Sequence, residues 1–258
     1  MLLTIDVGNT NITMGVFRDE VLLGMFRMTT KRPRTSDEYG FTICGILEQR
    51  GIDPKDIKDV IIASVVPDIM YSFTSGIIKY LGTTPILVSA ESDTGVKVIS
   101  DHPSRTGADR IVNAAAGHAI AMGPAIVIDF GTATTYDLIG PDRTLEACII
   151  APGIETAGRS LWGGASMLPA IQIKKPDTIL AGDTVSGMQG GLVFGAIGQT
   201  EYIVERMKEE SGYTDAYVIA TGGLGRIVAN ETDCIDLYDP ELTLKGLRLI
   251  YDRMKGNG

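Results

Sequence analysis

Basic residues are in short supply. Lys and Arg total 23 against 32 Asp and Glu, a net charge of −9, so the chain offers no basic footprint for nucleic acid or an anionic lipid surface. Neither partner is expected, and a polyanion bound here must be held by backbone amides, hydroxyls and metal ions. Cysteine is scarce as well. Cys44, Cys148 and Cys234 lie far apart, form no CxxC pair and are odd in number, which reads as reduced thiols of a cytoplasmic protein, small residues of its core. The two histidines, His102 and His118, have no second His, Cys or carboxylate at ligand spacing, which argues against zinc. Long apolar runs are missing too. Asp6 breaks the first run well short of the roughly 7–15 residues of an export signal. The stretch from Ala114 to Ile128 is interrupted by His118 and Pro124, short of the roughly 20 residues of a membrane helix. Neither GxxxxGK followed by Ser or Thr nor GxGxxG occurs, which argues against P-loop and Rossmann nucleotide sites.

What is present describes a folded globular protein of one large or two small domains. The chain has 258 residues, 44% of them apolar and 21% charged, well outside the disordered range. Short apolar runs at 2–7, 12–17 and 21–28, separated by GNTN and RDE, predict three antiparallel strands. Thr35-Ser36-Asp37-Glu38 has capping-box spacing and opens a helix that runs toward Gly51. A strand at Val60–Val66, a helix at Asp68–Leu81, a strand at Pro85–Val88 and an alanine-rich helix at Ala108–Ala121 follow. Three more short strands come next, Ala125–Asp129, Thr134–Ile139 and Leu145–Ile150. Helical stretches, a strand at Ala216–Ala220 and a helix from Leu242 to Met254 complete the chain. Lys31-Arg32-Pro33-Arg34, beside Asp37 and Glu38, reads as a solvated loop.

The order of elements repeats, and so does a motif: IDVGNTN at 5–11 and IDFGTATT at 128–135 each carry a strand, Asp, an apolar residue, Gly and small polar residues. One such turn is an ordinary hairpin; two, each opening a three-strand meander half a chain apart, indicate duplicated domains facing each other across a cleft. Gly8 and Gly131 let the backbone approach a ligand, and Asn9, Thr10, Asn11, Thr13, Thr132, Thr134 and Thr135 supply uncharged donors suited to phosphate. Asp6 and Asp129 repel phosphate and must reach it through a cation or water. A third glycine turn, Thr221-Gly222-Gly223-Leu224-Gly225, follows the strand at 216–220 and suits an adenosine moiety. Gly107-Ala108-Asp109-Arg110 opens the alanine-rich helix, where free amides and the helix dipole favour an anionic small substrate. There Arg110 offers a fork for a carboxylate, and Asp109 a fixed base for a hydroxyl attacking phosphorus. The alternative is an acidic first turn with an Asp–Arg surface pair.

DVGNTN, DFGTATT and ATGGLG, in this order, resemble the nucleotide site of the superfamily of acetate kinase, sugar kinases, heat-shock 70 proteins and actin. GADR at 107–110, PGI at 152–154, and Gly182-Asp183-Thr184-Val185 with Met188-Gln189 resemble the type III pantothenate kinase family, nearly end to end. The resemblance implies an α/β fold of duplicated ribonuclease H-like (actin-like ATPase) domains, at 1–118 and 119–258. Each would be a mixed sheet with an antiparallel three-strand meander flanked by helices, with the nucleotide in the interdomain cleft. It implies transfer of the ATP γ-phosphate to pantothenate, the first step of coenzyme A synthesis, with Mg2+, a monovalent cation (K+ or NH4+), and a homodimer sharing its substrate pocket. Residue by residue, Asp6, Val7, Gly8, Asn9, Thr10, Asn11, Ile12 and Thr13 fall on the ATP segment, Thr132 on a second ATP contact and Asp129 on the potassium site. Asp6 is the expected partner of Mg-ATP. Gly107, Ala108, Asp109 and Arg110 match the pantothenate motif, with Asp109 at the proton-acceptor position.

Thr184 matches a threonine reaching pantothenate from the neighbouring subunit, although on its own it also suits a helix N-cap. Two positions depart from the pattern. Ser100 stands where the family often has a substrate-contacting tyrosine, and Ala147-Cys148 where many members have Gly-Gly. Trp162 suits either core or dimer contact. Two other functions remain in view: a non-catalytic regulatory or transcription-accessory member of the family, which loss of a key aspartate would signal, and a kinase for another small hydroxy acid.

Overall fold

The computed structural model describes residues 1–30, 33–100 and 102–256. The chain divides into two compact units, Met1–Ala116 with Glu241–Gly258, and Gly117–Pro240.

In the first unit β1 (Leu2–Val7), β2 (Asn11–Arg18) and β3 (Val21–Thr29) form the antiparallel meander, and β4 (Asp59–Ser64) and β5 (Ile86–Leu87) extend it in the order β3-β2-β1-β4-β5. β4 runs parallel to β1. Alternation along β1 sends Leu3, Ile5 and Val7 to one face. There they pack with Tyr39, Ile43 and Leu47 of α1 (Ser36–Gln49) and with Ile69, Phe73 and Ile77 of α2 (Pro67–Leu81). The expected capping box forms: Thr35 accepts from the Glu38 amide at 3.2 Å, and Glu38 accepts from the Thr35 amide at 2.8 Å. On the opposite face Leu2, Ile61 and Ala63 meet Ala108 and Val112 of α3 (Ala108–Ala121) and, from the chain's end, Leu244, Leu247 and Ile250 of α7 (Leu242–Met254). A two-residue strand, β6 (Lys97–Val98), precedes α3.

The second unit repeats the plan. β7 (Ala125–Phe130), β8 (Ala133–Ile139) and β9 (Thr144–Pro152) form the meander, and β10 (Tyr217–Thr221) and β11 (Leu237–Tyr238) follow in the order β11-β10-β7-β8-β9. Ile126, Ile128, Tyr136 and Val218 pack against Leu192, Val193, Ile197 and Val204 of the long α5 (Thr184–Ser211). α4 (Ile154–Gly164) and the single-turn α6 (Gly225–Ala229) complete it.

Some particulars differ from the sequence reading. The division at 1–118 and 119–258 assigns the C-terminal helix to the second half, whereas α7 lies in the first unit, covering the sheet face that Leu2, Ile61 and Ala63 present. The cysteines are free but only partly buried. Lys31 and Arg32 lie outside the described residues. Arg34 is not a solvated loop residue: it is half-buried, its guanidinium 5.7 Å from the centre of the Tyr39 ring. Trp162 is partly buried, its ring against Gly158 of the same helix. No helix among the described residues is long and apolar enough to cross a membrane.

Candidate active site

Equivalent strand pairings place the two motif aspartates. Asp6 pairs with Thr13 of β2 and Ala63 of β4, and Asp129 with Thr135 of β8 and Thr221 of β10. Each half-buried carboxylate therefore sits on an interior strand of its sheet, one residue before the strand ends.

In the first unit the turn after Asp6 is closed by the Gly8 amide donating to the Asn11 carbonyl at 3.0 Å. Thr30, just past β3, braces it: its hydroxyl donates to the Gly8 carbonyl at 2.6 Å and its amide to the Thr10 carbonyl at 2.9 Å. Asn9, Thr10 and Asn11 are exposed at the tip, while Val7 and Ile12 are buried beneath it, so these two apolar positions shape the turn from below. The Val65 amide, just past β4, donates to the Val7 carbonyl at 3.1 Å. A Cβ on Gly107 would lie 3.3 Å from Val65 Cγ1 and 2.4 Å from Asp109 Oδ1. The hairpin, the end of β4 and the start of α3 therefore adjoin, and the Asp109 carboxyl lies flush against a residue with no side chain. Burial pushes that carboxyl above the ordinary range, opposed by its bond from the Arg110 amide and by the Arg110 charge. Such a group is suited to exchanging a proton nearer neutrality.

In the second unit the Gly131 amide donates to the Ala133 carbonyl at 3.1 Å. The next carbonyl, on exposed Thr132, accepts from the Gly153 amide at 3.2 Å and the Thr156 hydroxyl at 2.6 Å, both at the start of α4. A Cβ on Gly153 would lie 2.2 Å from the Gly131 oxygen and 2.6 Å from the Thr132 oxygen, so only glycine fits the centre of PGI. Gly153→Ala is expected to destabilise the fold by about 1–3 kcal/mol through overpacking against backbone and to raise KM for ATP. Gly163→Ala, in the same helix with open space around it, should be neutral or slightly stabilising. Thermal midpoints and ATP titrations of the two variants check this. Gly222, at φ +92, closes the site on the other side: a Cβ there would lie 2.7 Å from Asp129 Oδ1.

Three other expected site residues are exposed. Ser100 is exposed, and its hydroxyl accepts from the His102 amide at 3.2 Å. Thr184 is exposed and opens α5, but the N-cap is Asp183, whose carboxylate accepts from the Ser186 amide and hydroxyl. This corrects the N-cap reading of Thr184 and leaves its side chain without a capping task. Gly223 is exposed beside Gly222. Among the described residues no group of three or more His, Cys, Asp or Glu is placed to hold a metal. A cation at Asp6 or Asp129 would draw its other ligands from hydroxyls, carbonyls, water and phosphate oxygens. Sequence reading assigned no role to Thr30, Val65, Gly153 or Thr156; for Gly153, the PGI motif was the available signal.

A doubled sheet of this topology, each copy carrying an Asp one residue before the end of an interior strand and a glycine turn after it, is the fold of actin-like ATPases and sugar kinases. The ROK hexokinase of Thermus thermophilus shares it, with a TM-score of 0.52 at 15% identity, covering 99% of each chain. Residues 2–206 match the type III pantothenate kinase family. The type III pantothenate kinase of Agathobacter rectalis is 52% identical over 258 residues, covering 100% of this chain and 99% of that protein. That of Bacillus cytotoxicus is 45% identical over 253 residues, covering 98% and 96%. The chain belongs to the type III pantothenate kinase family.

Proposed function

We propose that the protein transfers the γ-phosphoryl group of ATP to the primary hydroxyl of pantothenate, giving 4′-phosphopantothenate at the start of coenzyme A synthesis. The observation that carries the chemistry is the Asp109 carboxyl at the start of α3, raised by burial and adjoining the Asp6–Asn11 hairpin through Val65. The pantothenate hydroxyl gives its proton to Asp109 as its oxygen bonds to the γ-phosphorus, and the bond from that phosphorus to the β,γ-bridging oxygen breaks to release ADP. Gly107 leaves room for the substrate, the Ala108 methyl is buried in the core so that only its backbone would meet the substrate, and Arg110 pairs with the substrate carboxylate. Residues 6–13, Thr132, Gly222 and Gly223 hold ATP.

The hairpins contribute uncharged donors and acidic side chains, a set that fits a nucleotide only in company with cations. Asp6 would hold Mg2+ and Asp129 a monovalent ion, K+ or NH4+, which neutralise phosphate charge when bound. Thr184 serves the pocket of the partner in a homodimer. Strong exposure of Met167 (88%), Ile179 (68%) and Leu180 (83%) on the segment leading to α5 supports that association. Free thiols and the need for ATP support a cytoplasmic location.

The test is ADP release with pantothenate and Mg2+ in potassium, ammonium, lithium or choline chloride at equal ionic strength. Turnover is expected in the first two salts only, and Asp129→Ala should lose the potassium response. Equal rates in potassium and choline would discard the monovalent site. No turnover with pantothenate in any salt would discard the proposed reaction; other hydroxy acids in the same assay would then separate a kinase of altered specificity from a non-catalytic family member.

A further inference from the structure

Behind the Gly222 turn stands an aromatic side chain with no part in the chemistry above. Tyr238 of β11 donates its hydroxyl proton to the Gly222 carbonyl at 2.9 Å. The ring is fixed on several sides. Its backbone is in register with Ala220 of β10, a Cβ on Gly225 would lie 2.8 Å from its Cε2, and the Arg226 guanidinium sits 5.4 Å from its centre. The residue it holds is tightly constrained: Gly222 has φ +92, and a Cβ there would meet the Phe130 oxygen at 2.6 Å and Asp129 Oδ1 at 2.7 Å. Glycine is the residue with the most backbone freedom to lose, so a glycine turn keeps one conformation only through the bonds made to it.

We propose that Tyr238 is a positioning residue whose hydroxyl locks the Gly222 peptide against the Asp129 carboxylate and so couples the nucleotide turn to the monovalent cation site. This rests on the assignment of Asp129 to the cation and of Gly222-Gly223 to ATP. A turn released from Tyr238 spreads over several conformations, and ligands that need one of them bind in proportion to its population.

The experiment measures steady-state kinetics of the intact protein for wild type, Tyr238→Phe and Asp129→Ala, varying ATP, pantothenate and potassium in turn. Tyr238→Phe keeps the ring and removes one hydrogen bond. It should raise KM for ATP and the half-saturating potassium concentration about threefold to tenfold, the range one such bond supports. KM for pantothenate, and kcat at saturating ATP and potassium, should stay within about twofold. A residue that only supports the fold would lower the thermal midpoint without separating ATP from pantothenate. If both the ATP KM and the potassium half-saturation of Tyr238→Phe match wild type while Asp129→Ala loses its potassium response, the cation assignment stands and the role of Tyr238 is overturned. If Asp129→Ala responds to potassium as wild type does, the cation assignment has failed, and the proposed coupling is overturned with it.

Discussion

Asp109→Asn is expected to lower kcat by about 10²–10⁴-fold, the usual contribution of a positioned general base, while ATP binds almost as tightly as to wild type. Asparagine keeps the shape that fits against Gly107 but cannot take the hydroxyl proton. A variant retaining more than about a tenth of wild-type turnover would remove Asp109 from the base position. Because burial raises the Asp109 carboxyl, two pH effects accompany the loss. The active form is the carboxylate, so wild-type kcat/KM should fall as pH drops through a value above the ordinary carboxylate range, a limb absent from the variant's residual rate. Stability runs the other way. A carboxyl whose folded pKa is raised contributes most when protonated, and that contribution is lost as pH rises through the raised value. Asp109→Asn should therefore melt above wild type at neutral pH, with the gap closing below about pH 4, where both states of the wild-type carboxyl are protonated. Thermal melts across pH decide whether the side chain is held at a cost to the fold, as strained functional groups are.

Mixing two inactive variants is expected to create activity. Asp109→Ala and Thr184→Arg homodimers should each be silent if every pocket takes Asp109 from one chain and Thr184 from the other. In a mixed dimer one pocket carries both substitutions, and the other pairs intact Asp109 with intact Thr184. Random reassortment makes half of the dimers mixed and so restores about a quarter of wild-type sites. The motive lies in Thr184 itself: it is exposed at the head of α5, Asp183 performs the capping, and exposed Ile179 and Leu180 precede it. If mixing yields verified heterodimers and no turnover, Thr184 acts within its own chain or not at all, and the shared pocket is discarded.

Much of the fold was legible because its signals are local. Thr35 and Glu38 announce α1, since a cap and its reciprocal bond involve residues three apart. The meanders show in short apolar runs, and the duplication in two copies of one strand and turn. The site was legible where a motif repeats or matches a family, as with Asp6, Asp129 and the GADR turn.

What the sequence determined by itself was most of the longer elements, the pairing of successive meander strands, the apolar stripe of α7, and the chemistry available to a site poor in basic residues. The tertiary structure alone decided which sheet receives that stripe. Leu244, Leu247 and Ile250 would suit either half, and the face bearing Leu2, Ile61 and Ala63 takes them. It also decided why Gly153 and Gly222 are glycine, because each faces atoms of a residue that folding brings close: the Thr132 oxygen and the Asp129 carboxyl. Periodicity records which side of an element is apolar. It carries nothing about what stands opposite, and close approach of backbone to carboxylate is a property of the pair.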